Sequence, residues 1–136
     1  MSTYHIDYHW DADYPIPVLH VIVTGELPNP LYSLPALINR AHAYVDQCDA
    51  YDAVYLAYDM TGTSGKLPLE ALLRRGKPSP KVKRAAIIGA NSRSDEMAVL
   101  IMASARHIPY EFSFFRSLMD AAEFLTGVDV AQVTHS

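Results

Sequence analysis

Hydrophobic and polar positions along the chain fall into segments whose period switches between two and about 3.6. Tyr4, Ile6, Tyr8 and Trp10 alternate with His5, Asp7, His9 and Asp11, the pattern of a strand with one apolar face. Asp13 to Pro17 reads as a turn, with two prolines that bar regular pairing. From Val18 to Thr24 the chain is apolar on both faces except at His20, which suits an interior strand. Leu34, Leu37, Ile38, Ala41, Tyr44, Val45 and Cys48 then recur at helical spacing. This stripe predicts a core-facing helix capped by Ser33, with Pro35 in its first turn and Cys48 buried as a small apolar residue.

The strongest apolar run is Val54 to Met60, a strand expected to end at Asp59. Gly62 and Gly65 permit backbone angles that other residues resist, so Asp59, Thr61, Gly62 and Gly65 are expected to shape a turn. Leu67, Leu69, Leu72 and Leu73 resume helical spacing, with Pro68 suited to a first turn and Gly76 to a stop. Thr61, Thr63 and Ser64 would then stand near a helix N-terminus, where backbone N–H groups converge and negative charge is favoured. A phosphate on Ser64 or Thr63 would be tolerated there. Capping of that helix is the plainer role for the same hydroxyls.

Lys83 to Gly89 reads as a short buried strand. Ser92, Asp95 and Glu96 fit the start of a helix running to about Arg106. Between Met97 and Ala105 that helix is apolar nearly all round, so Met97, Leu100, Ile101 and Met102 form a candidate oligomer surface. Tyr110, Phe112 and Phe114 alternate in a last strand. Ser117 caps a helix bearing Leu118, Ala121, Ala122 and Leu125, and residues 128–136 read as a loose tail.

At 136 residues with half of them apolar, the chain suits one domain with a real core, residues 1–136. No apolar run reaches membrane-spanning length, the opening MSTYHIDYHW is unlike a signal peptide, and one cysteine excludes a disulfide framework. The expected compartment is the cytoplasm. A net charge of −4 offers no general attraction to nucleic acid. Arg74, Arg75, Lys77, Lys81, Lys83 and Arg84 nevertheless cluster with no acid from Ala71 to Ser94. Without interleaved aromatic residues the cluster reads as a solvated loop, with a docking surface for an acidic protein as the alternative.

Candidate chemistry is thin. Gly62-Thr63-Ser64-Gly65-Lys66 lacks the first glycine and the final hydroxyl of a phosphate-binding loop, since Met60 and Leu67 hold those positions. Gly89-Ala90-Asn91-Ser92 lacks the further glycines of a dinucleotide fingerprint. His5 and His9 lie about 13 Å apart along a strand, too far to share an ion. No histidine can be placed beside Ser64, and no acid–base set converges in the sequence. Neither a cofactor nor a metal is expected, and an enzyme, which would need a histidine or carboxylate pair converging on Ser64, is the weakest alternative.

Several of these segments resemble the STAS domain family of the anti-sigma-factor antagonist type. Val18 to Leu27 is similar to that family's strand ending in Gly-Glu-Leu, and Leu34 to Val45 to its first long helix. Val54 to Met60 resembles the strand ending in an acidic residue, and Thr63-Ser64-Gly65 the Asp-Ser-Ser-Gly turn that carries the phosphorylated serine. Ile87-Ile88-Gly89 and Phe112 to Leu125 resemble the closing part, so the likeness spans about residues 18–125. Thr63 stands where the family's acid precedes the serine, and the preceding loop is shorter. The resemblance implies a single α/β domain with a mixed, mostly parallel sheet of four to five strands and helices mainly on one face. It also implies a regulatory domain that binds another protein, an anti-sigma or kinase-type regulator, with Ser64 or Thr63 as phosphoacceptor. A small-molecule or lipid-binding domain of the same fold, using surfaces around Tyr55, Tyr58, Met97 and Met102, is the second expectation.

Overall fold

The structure, a computed structural model, describes residues 3–63, 78–89 and 110–126. Five strands form one sheet: β1 (Thr3–Asp11), β2 (Val18–Glu26), β3 (Val54–Thr63), β4 (Val82–Ile88) and β5 (Glu111–Phe115). They lie in chain order, with β1 antiparallel to β2 and every later neighbour parallel. Two helices are described, α1 (Pro30–Asp46) and α2 (Leu118–Thr126). The mixed, mostly parallel α/β sheet expected from the sequence is therefore present.

Alternation along the strands divides the core into two layers. Leu19, Val21 and Val23 of β2, Leu56, Tyr58 and Met60 of β3, and Ala85 and Ile87 of β4 pack under Leu34, Leu37, Ile38, Ala41 and Val45 of α1. The residues between them, Val18, Tyr55, Ala57, Ala86 and Ile88, meet Ala121 and Leu125 of α2 on the opposite face. β2, β3 and β4 are apolar on both faces because each face has its own cover.

Helix α1 departs from expectation at both ends. It begins at Pro30, and its N-cap is Asn29 rather than Ser33. Asn29 adopts a left-handed conformation (φ 44°), which asparagine tolerates, and its carbonyl accepts from the backbone N–H groups of Tyr32 and Ser33. Ser33 thus lies inside the first turn. At the other end, Cys48 follows the helix and is only partly buried. Tyr44 leaves the core stripe and lies against β1: its ring stacks on Tyr8 at 4.7 Å, and its hydroxyl accepts from Trp10 Nε1 at 3.2 Å. Ser117 does cap α2, its Oγ accepting from the Asp120 N–H at 3.1 Å.

Candidate functional site

The carboxyl ends of parallel strands are where open α/β sheets place their working residues. Here that edge carries Asp59, Thr61, Gly62 and Thr63, and the structure corrects their setting. The strand does not end at Asp59: β3 continues to Thr63, pairing Gly62 with Thr24 and Thr63 with Gly25. Between Asp59, opposite Ile22, and Gly62, opposite Thr24, the register slips by one residue. These residues shape a β-bulge within the ladder, not a turn after it.

The sequence supplies the bonds that hold the bulge. The Asp59 carboxylate accepts from the Thr61 backbone N–H at 3.0 Å and from the Thr61 hydroxyl at 2.6 Å. The Thr63 hydroxyl donates to the Met60 carbonyl at 2.6 Å. Side-chain groups thereby replace ladder bonds lost at the extra residue. Two glycines make room for the bulged backbone. A Cβ on Gly62 would lie 2.7 Å from Thr24 Cγ2 and 3.3 Å from the Val23 carbonyl oxygen. Gly89, at φ +83°, lies just past β4 against the backbone of Thr61. Ser64 and Gly65 lie outside the described residues, as do Met97, Leu100, Ile101 and Met102.

Toward the amino end of β2, His20 is buried with Asp11 Oδ2 3.7 Å from its Nε2 and the His9 ring 6.1 Å away. Burial, the largest cause, holds the imidazole below its ordinary range. The Asp11 carboxylate opposes that effect, His9 adds to it, and Asp59 opposes it more weakly.

Two further polar clusters escaped sequence reasoning. Below α1, the Ser79 backbone N–H donates to His42 Nδ1 at 3.0 Å, and the Ser79 hydroxyl to Asp46 Oδ1 at 3.2 Å. A backbone N–H can only donate, so His42 Nδ1 is the acceptor and a neutral ring carries its proton on Nε2. Serine, histidine and aspartate meet here, but the imidazole faces the amide and leaves the hydroxyl unactivated. Lys81 completes this latch by donating to the carbonyls of Cys48 at 2.8 Å and Asp46 at 3.4 Å, at the C-terminal end of α1. Across the sheet, Arg84 Nη1 donates to the Phe124 carbonyl at 2.9 Å, and Nε lies 3.2 Å from Glu111 Oε2. Its guanidinium also covers the rings of Phe124 and Tyr55, at 5.1 and 5.6 Å from their centroids. Lys81 and Arg84 therefore tie elements together, which corrects the reading of the basic run as a solvated loop. Arg74, Arg75 and Lys77 lie outside the described residues.

Tyr55 and Tyr58 are both buried, in opposite layers, so they line no common binding surface.

No family model matches the chain, and no curated protein matches it. Among solved structures it is similar to an uncharacterized protein of the DUF3478 family with a SpoIIAA-like fold, from Shewanella loihica PV-4. The two are 22% identical over 92% of this chain and 97% of that one, with a TM-score of 0.49. The likeness is one of fold. No helix among the described residues is long and apolar enough to cross a membrane.

Proposed function

We propose that this chain is a small regulatory domain that binds another protein through the carboxyl end of its sheet. In this reading, phosphorylation at Ser64 is the switch. The observation that carries the reading is the bulge. Asp59, Thr61 and Thr63 hold the end of β3 through their own side chains, immediately before the serine that the STAS resemblance marks as phosphoacceptor. A phosphate on Thr63 would cost the bond from its hydroxyl to the Met60 carbonyl. The partner expected by resemblance is an anti-sigma or kinase-type regulator.

Affinity capture from the source cells with wild type, Ser64→Ala and Ser64→Asp tests the reading, with phosphopeptide mapping of the bait. The expected result is phosphate on Ser64 and a partner retained by one substituted bait and lost from the other. Identical capture by all three baits, with Ser64 unmodified, would overturn it.

A further inference from the structure

We infer that the outer edge of β1 is an interface for a second copy of this chain, paired antiparallel through its own β1. β1 is the first strand in the sheet order, and among the described residues only β2 pairs with it. An edge of nine residues leaves a row of backbone donors and acceptors open to pairing. Many edges are protected by like charges, but this one carries alternating opposite types. His5, Asp7, His9 and Asp11 share one face, and Tyr4, Ile6, Tyr8 and Trp10 share the other.

Symmetry decides the register. A two-fold axis through the sheet keeps each face on its own side, so odd residues must oppose odd residues and even oppose even. Centring the axis on Tyr8 sets His5 against the partner's Asp11 and Asp7 against the partner's His9. Ile6 then meets the partner's Trp10 on the aromatic face. Every imidazole faces a carboxylate across the strands, and each strand already alternates the two along its length. His5 Nε2 lies 3.1 Å from Asp7 Oδ1 within one strand, so the row would become a checkerboard of donors and acceptors. Moving the axis to Asp7 or to His9 instead sets carboxylate against carboxylate or imidazole against imidazole. Among the registers centred on Ile6, Asp7, Tyr8 and His9, only the one centred on Tyr8 sets every histidine and aspartate of β1 against its opposite type. His5, Asp7 and His9 are exposed and so available to a partner. The α1 helices of the two copies would lie on the same side of a ten-stranded sheet.

Sedimentation of the full chain at about 100 μM tests this at neutral pH, in the range where weak self-association is populated. Wild type should sediment as a dimer. His9→Asp, which sets carboxylates against each other twice per dimer, should raise the dissociation constant by about tenfold or more. The exchange Asp7→His/His9→Asp restores opposite types across the axis and should recover the dimer. Circular dichroism confirms that each variant keeps its fold. A monomeric wild type, a dimer indifferent to His9→Asp, or an exchanged variant that stays monomeric would each overturn the proposal.

Discussion

Replacing Gly89 by alanine should destabilise the protein more than a change of one methyl group suggests, because two costs fall on the same atom. The first is conformational: at φ +83° an L-residue sits in the left-handed region, which costs about 1–2 kcal/mol. The second is contact. The new Cβ would lie 2.8 Å from Thr61 Cγ2, 2.9 Å from Thr61 N and 3.0 Å from Thr61 Cα. Two of those three atoms are backbone, held by the bonds from Asp59, so rotating the Thr61 side chain relieves only the first. Overpacking of this kind costs about 1–3 kcal/mol, which brings the sum to about 2–5 kcal/mol. That is a large share of the roughly 5–15 kcal/mol that holds a domain of this size together. For 136 residues, at about 2.1 cal/mol/K of unfolding entropy per residue, a loss of about 3 kcal/mol lowers Tm by about 10 °C. Urea denaturation and calorimetry of Gly89→Ala measure it. Gly89→Asn separates the two costs, since asparagine tolerates the left-handed angle but still brings a Cβ. If contact dominates, asparagine is no remedy, and Gly89→Asn should be nearly as damaging as Gly89→Ala. A loss below about 1 kcal/mol for Gly89→Ala would refute the close approach of β4 to the bulge.

The remaining predictions bear on the same framework. Asp59→Ala removes the acceptor of two hydrogen bonds and should lower stability by about 1–3 kcal/mol in urea denaturation, whereas Asp59→Asn, which keeps one acceptor oxygen, should cost less. Arg84→Lys should cost about 1–3 kcal/mol, because an ammonium cannot both reach the Phe124 carbonyl and cover two rings. Glu111→Gln should change stability by less than about 0.5 kcal/mol, since that carboxylate is 69% exposed and screened. For His20, burial lowers the folded-state pKa below the ordinary 6.5. Its contribution to stability is therefore full above pH 6.5 and is lost as pH falls through the folded value, with a slope of at most about 1.4 kcal/mol per pH unit. Denaturation midpoints followed from neutral to mildly acidic pH should show that loss in wild type and less of it in His20→Gln. Equal slopes would remove His20 as the cause.

The strands and the two described helices were legible in the sequence because alternation and helical spacing report which face of an element is buried. Val54 to Met60 reads correctly as an interior strand for that reason, and Ser117 as a cap because its partner lies three residues away. The bulge was not legible. A bulge is a mismatch in length between two paired strands, and it exists only once Ile22 and Thr24 are set against Asp59 and Gly62. Read alone, the same aspartate, hydroxyls and glycine suit a turn equally well. Lys81 and Arg84 were misjudged for a related reason. Each is satisfied by carbonyls more than thirty residues away in the chain, so local charge density could not distinguish a ligand of helix ends from a solvated cation. Local pattern thus fixes the face a residue presents, while the neighbour it meets depends on strand register. That dependence is why Asp59, Thr61 and Gly62 read as a turn in the sequence but form a bulge in β3.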